Sequence, residues 1–261
     1  MASLLSLPPV LQALLAGALT FTVTALGALC VFFFRRAHSL LLDAMLAAGA
    51  GVMLASSFFS LLQPAQEMAI RQGQPAALIL CTGFLLGGIL LLLADHYFDC
   101  RSRSLAPCDA RRRDRLLVAS ITLHNIPEGL AVGAAFGAAA ADPTLYHAAW
   151  MLAVGIALQN FPEGAAVSLP LHRDGMSRGK AFLLGALSAL VEPIAALVGV
   201  LLAAGAQALL PLLLAFAAGA MVLVVVSELV PECQRSARPR TMALAVLVGF
   251  AVMMALDVAL G

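Results

Sequence analysis

The sequence predicts an all-α integral membrane protein with eight transmembrane helices, the fourth and fifth kinked at proline, and both termini outside the cytoplasm. Three observations predict it. Hydrophobic residues fill 62% of the 261 positions and charged residues 11%, with a mean hydropathy of +0.99; soluble domains sit near ~45–50% and ~25%. Apolar stretches of about 20 residues, the length that crosses a hydrocarbon core of about 30 Å, can be laid down eight times with short links. Finally, the 15 basic residues alternate between links: all but Arg71 fall in the odd-numbered ones. The positive-inside rule makes those links cytoplasmic, and a wrong span count would have scrambled the alternation. The chain is therefore read as one polytopic membrane domain, 1–261, with no soluble domain.

The first span, near residues 8–34, follows an N-terminus without the basic stretch of a secretory signal, so it is expected to be retained, and Arg35 and Arg36 close it. The second, near 41–63, carries Met53 and Ser60, with Glu67 beyond its outer end. Glu67 is either a cation attractor at a mouth or a solvated helix-end charge. The third, near 76–97, ends at Asp95 and His96 and leads into a polar, basic link, 98–114, expected to be a cytoplasmic loop. That loop is either a solvated topology determinant or, with Asp95, His96, Asp99, Cys100 and Cys108, a metal-receiving patch.

The fourth and fifth spans, near 115–139 and 146–171, hold the matched hexapeptides His124-Asn125-Ile126-Pro127-Glu128-Gly129 and Gln159-Asn160-Phe161-Pro162-Glu163-Gly164, related by an offset of 35 residues. In each, the first residue and the Glu stand four apart, which places both on one helix face. The intervening Pro cannot donate a hydrogen bond and presses on the carbonyl four back, Leu123 or Leu158. Gly129, Gly133 and Gly137 continue the fourth span at four-residue steps and suit close packing. The sixth span, near 179–203, contains Glu192-Pro193; the seventh, near 208–231, contains Glu228; the eighth, near 241–260, contains Asp257.

An ionisable group at the bilayer centre costs roughly 2.5–3.5 kcal/mol on insertion scales. His124, Glu128, Glu163 and Glu192 are such groups, and Asn125, Gln159 and Asn160 stand beside them. Uncompensated, three converging Glu would repel one another or take up protons, so the set points to a bound cation. Imidazole nitrogen mixed with carboxylate and amide oxygen suits zinc and its first-row neighbours better than calcium or copper(I). Glu228 and Asp257 are either secondary metal or proton-relay positions or interhelical polar contacts. The five cysteines form no C-x-x-C pair, which excludes a disulfide framework or zinc ribbon as the reading. Neither H-E-x-x-H nor Glu-x-x-His occurs, which argues against an embedded metalloprotease or dimetal oxidase. No resident cofactor and no nucleic-acid partner is expected.

Three stretches carry a family resemblance: HNIPEGLAVGAAFG in the fourth span, QNFPEGAAVSLP in the fifth, and Glu192-Pro193 in the sixth. On these the chain resembles the ZIP (Zrt/Irt-like) divalent metal transporters, close to the bacterial GufA-type branch. The resemblance implies transport of a divalent metal, zinc first and Fe2+, Mn2+, Cd2+ or Co2+ as alternatives, into the cell across the cytoplasmic membrane. It implies a binuclear site bridged by Glu128 and Glu163, one ion on His124, Gln159 and Met53 and the other on Asn125, Asn160 and Glu192. It also implies alternating access with spans one, four, five and six moving together. The similarity of GVMLASSFFSLLQPA to the family's second span is what raises Met53 above a core filler, and Ser60 would line the path. This chain departs from some relatives in having Asn160 where a carboxylate can stand, Ser227 beside Glu228, and no histidine cluster in the 98–114 link. Three Glu against two dications leave a net +1, and against one dication −1. The His124 ion is accordingly expected to be the transported one, with the second site either weaker or helped by a hydroxide or an outer carboxylate. A homodimer is compatible with the small-residue ridges. The rival readings are an exporter of the same fold, a membrane metalloenzyme and a static metal sensor.

Overall fold

The computed structural model describes residues 7–33, 39–105 and 110–260, and among these the secondary structure is helical, without strands. Eight rods stand where eight were expected: α1 (Pro9–Phe33), α2 (Leu40–Arg71), α3 (Ala76–Leu105), α4 (Ala110–Ala141), α5 (Tyr146–Arg173), α6 (Arg178–Gly205), α7 (Gln207–Arg235) and α8 (Pro239–Leu260). Among the described residues, six are long and apolar enough to cross a membrane. The other two, α4 and α5, are as long, with 32 and 28 residues, and it is the polar hexapeptides that dilute their apolar character. The link expected as a loop is shorter than predicted. Helix α3 runs on to Leu105 and α4 starts at Ala110, with 106–109 outside the described residues.

Large apolar side chains face outward along the bundle, among them Leu85, Ile89, Leu90 and Leu93 of α3 and Leu244, Leu247 and Val258 of α8. A surface of this kind is solvated by lipid rather than water. Only 11% and 17% of the apolar windows of α3 and α8 are buried, against 61% for α2 and for α7, so α3 and α8 form the rim and α2 and α7 stand inside it.

The helices associate as four close pairs, α1–α5, α4–α6, α3–α7 and α2–α8. Lipid tails are as apolar as leucine, so pairs in a bilayer are held by close packing rather than by the hydrophobic effect. Each pair has glycines from both helices seated on the partner's backbone. Gly27 faces the Phe161 carbonyl and Gly164 the Thr24 carbonyl; Gly133 faces Ala196 and Gly199 faces Leu130; Gly87 faces Phe216 and Gly219 faces Phe84; Gly51 faces Val246 and Gly249 faces Ala48. A Cβ at any of these positions would collide with main chain. Between the pairs the apolar core is built from larger side chains, including Phe136, Leu152, Ile156 and Met221.

Prolines shape three further places. Pro193 has no N–H for the Ala189 carbonyl, and the Glu192 N–H turns to it at 3.0 Å, so α6 is broken by a turn at residues 188–190. Before Pro64 and Pro231 the helix widens instead into π-turns, Ser56–Leu62 in α2 and Val225–Leu229 in α7. In each, the residue preceding the proline bonds five back, Gln63 to Phe58 and Val230 to Val225. Helices α4 and α5 run through Pro127 and Pro162 without such a break.

Candidate metal centre

The broken turn of α6 explains why an amide stands at position 125. Once the Glu192 N–H has turned to Ala189, the Ser188 carbonyl has lost its i+4 donor, and Asn125 Nδ2 of α4 supplies one at 2.9 Å. Its other end, Oδ1, is buried without a donor. A carboxylate here could not have donated, and an apolar residue would have left Ser188 unsatisfied.

The same division of labour recurs in the second hexapeptide. Gln159 Nε2 donates to Glu128 Oε1 at 2.7 Å, joining α5 to α4, while Gln159 Oε1 and Glu128 Oε2 are buried with no donor. Asn160 Nδ2 lies 2.9 Å from each Glu192 oxygen, joining α5 to α6, and leaves Oδ1 buried in the same condition. Three amides thus spend their N–H groups holding a carbonyl or carboxylate and turn their oxygens inward. Together with Glu128 Oε2 these make four buried acceptors that call for a positive partner. Asn125, Glu128, Asn160 and Glu192 are 0% exposed.

His124 is buried on α4 and pairs with Glu228 of α7, Nε2 to Oε1, at 3.0 Å. Glu228 lies in the second π-turn, which displaces it from regular helical register. Glu163 is half-buried and within electrostatic reach of both His124 and Glu228. The carboxylates of Glu128, Glu163 and Glu192 also sense one another. Met53 is buried in the apolar core on α2, one residue-triplet before the first π-turn, with the Ser57 hydroxyl donating to its carbonyl at 2.7 Å. Among the described residues no three His, Cys, Asp or Glu groups form a cage by themselves. The arrangement is instead three carboxylates each tied to a nitrogen donor, Glu228 to His124, Glu128 to Gln159 and Glu192 to Asn160.

The remaining candidates lie apart from these bonds. Ser60 donates to Asp257 Oδ1 at 2.8 Å across α2 and α8, so two residues read separately in the sequence form one contact, and Asp257 Oδ2 is buried without a donor. Glu67 is exposed. Asp95 is half-buried and His96 exposed near the end of the apolar part of α3; the side chains of Asp99 and Cys100, and residue Cys108, lie outside what the structure describes. Two residues not singled out in the sequence reach the centre. Thr24 of α1 lies 3.5 Å from Glu192 Oε1, and the Thr20 hydroxyl is within bonding reach of the same carboxylate.

A bundle of lipid-facing helices with carboxylates, amides and an imidazole gathered at its centre is the architecture of an ion-handling membrane protein. A family model described as ZIP Zinc transporter matches residues 99–257. Relatives align over nearly all of the chain. Zinc transporter ZIP11 of Xenopus tropicalis is 38% identical over 97% of this chain and 98% of its own length. Zinc transporter ZIPB of Bordetella bronchiseptica is 40% identical over 95% of this chain and 81% of its own. Zinc transporter GufA of Myxococcus xanthus is 37% identical over 95% and 98%. The chain belongs to the ZIP family.

Proposed function

We propose that the protein carries a divalent transition metal, zinc first, across the cytoplasmic membrane into the cell through the centre built on α4, α5 and α6. The observation that carries this reading is the set of four buried acceptor oxygens beside three paired carboxylates. The names of the relatives, all zinc transporters, support both the metal and a transport role rather than catalysis. All eight rods cross the bilayer with both termini outside; the basic links support this orientation.

In this reading an ion enters by trading places with nitrogen donors. Gln159 gives up Glu128 and His124 gives up Glu228, and the ion takes the carboxylates, the imidazole and the inward amide oxygens in their stead. For the groups that take the ion, each exchange replaces one polar partner with another, and the carboxylate released, Glu228, is the one a third exposed. The ion on His124, Glu128, Gln159, Glu163 and Met53 is the one transported. The side formed by Asn125, Asn160 and Glu192 binds more weakly, since Asn160 already occupies both Glu192 oxygens. Release follows as α1, α4, α5 and α6 move as a body against the other four helices. The pairings α1–α5 and α4–α6 fall within that body and α2–α8 and α3–α7 within the other, which supports the division.

The test is zinc and iron uptake into proteoliposomes, with Glu163→Ala and His124→Ala beside the unaltered protein. Saturable uptake abolished by both substitutions is the expected result. Binding without flux would replace the transporter with a static metal sensor, and flux only from the opposite face would make it an exporter.

A further inference from the structure

The polar partners of Glu192 include two hydroxyls from a helix that carries none of the repeated motif. Thr20 and Thr24 stand four apart on α1, both 1% exposed, on the face pressed against α5 and α6. Their position is fixed from both sides. Gly17 brings α1 against Pro193, and Gly164 brings α5 against the Thr24 carbonyl. The helix cannot move off Glu192 without unseating these contacts.

Each hydroxyl has a single proton and two acceptors within reach. Thr20 Oγ1 donates to the Gly17 carbonyl at 3.0 Å or turns to Glu192. Thr24 Oγ1 lies 3.1 Å from the Thr20 carbonyl and 3.5 Å from Glu192 Oε1. Serine and threonine in helices readily bond the carbonyl three or four residues back. The alternative to Glu192 is therefore a satisfied bond, not a lost one.

We propose that Thr20 and Thr24 are positioning residues that hold the Glu192 carboxylate through exchangeable hydroxyl bonds and surrender it to an ion by turning back to their own helix. They compete with the second ion for Glu192, and in doing so keep that side of the centre weaker than the His124 side. The proposal rests on the reading of Glu192 as part of the ion centre.

The direction of the effect separates this role from a structural one. Removing the hydroxyls removes a competitor, so the Thr20→Val/Thr24→Val double variant, which keeps side-chain volume, binds the second zinc roughly tenfold more tightly. Its uptake keeps the KM set by the His124 ion and shows a lower maximal rate, because a more tightly held second ion leaves the centre more slowly. Thr20→Ser/Thr24→Ser restores both values. Binding is read at equilibrium on purified full-length protein by competition with a chromophoric chelator, with uptake measured in proteoliposomes. Unchanged affinity for the second zinc, with uptake scaling only with the amount of folded protein, would overturn the proposal, as would weaker binding. Should the double variant fail to fold, Thr24→Val against Thr24→Ser gives the same comparison with a smaller change. Absence of zinc binding by the unaltered protein would instead remove the ion-centre reading on which the proposal stands.

Discussion

Replacing Asn160 by Asp removes the one nitrogen that holds both Glu192 oxygens, at 2.9 Å each, and puts a carboxylate in its place. Two unit charges about 3 Å apart at an effective dielectric of about 20 repel by about 5.5 kcal/mol, and the lost charge-assisted bonds add to the cost. A proton or a dication is the only relief available between two side chains this deeply buried. Without added metal, the Asn160→Asp protein is expected to melt at least about 5 °C lower than the unaltered one in the same detergent. Micromolar zinc should recover more stability in the variant than in the unaltered protein, because binding to the native state alone stabilises by mass action. Metal analysis after equilibrium dialysis should show bound zinc rising toward two per chain. Equal melting temperatures without zinc, together with unchanged stoichiometry, would refute the claim that Asn160 acts chiefly as the clamp on Glu192.

Other consequences are checked more simply. Glu228→Gln leaves His124 with a neutral partner in place of an anion at 3.0 Å, and the KM for zinc uptake should change while the fold is retained, read by size-exclusion behaviour. Gly164→Val drives a branched side chain into the Thr24 backbone and should cost about 3 kcal/mol or more, seen as loss of monodisperse protein, whereas Gly205→Val, in open space, should not. At the end of α4, bonds from Thr144 and then Arg71 hold the Asp142 carboxyl below its usual range. A depressed carboxyl stabilises the fold above its unfolded-state value and loses that contribution as the pH falls through its folded-state value. The small stability difference between the unaltered protein and Asp142→Asn should therefore be present at neutral pH and vanish on acidification below about pH 4.

Much of this architecture was legible because the bilayer imposes rules that a sequence must display. Eight apolar lengths and alternating arginines were enough to place eight rods. The paired hexapeptides stood out since His124, Glu128 and Glu163 are costly in a membrane. Other features were hidden for physical reasons. Thr20 and Thr24 sit in an apolar run where threonine is cheap, so nothing in their chemistry marks them until α1 is laid against Glu192. The partner of Glu228 lies on another helix, and the π-turn that aims it at His124 shifts the register assumed by simple periodicity. Pro64 and Pro231 were the available signal for both π-turns, since each removes a donor inside an apolar helix. The amide at position 125 became intelligible only with the broken turn of α6, whose cause is Pro193.

The glycine seats bear on how the chain is made. Every pair they join is separated along the sequence: α1 waits for α5, α4 for α6, α3 for α7 and α2 for α8. Helices are synthesised in order, so the first four have no paired neighbour while they are being made. During that interval their buried-type hydroxyls, Thr20, Thr24, Ser56 and Ser57, can bond only their own backbone, as Thr24 and Ser57 also do in the finished fold. Docking α2 onto its seat requires Gly249 of α8, made after all the other helices described. A chain halted before α8 would leave α2 without the backbone seat that Gly249 provides.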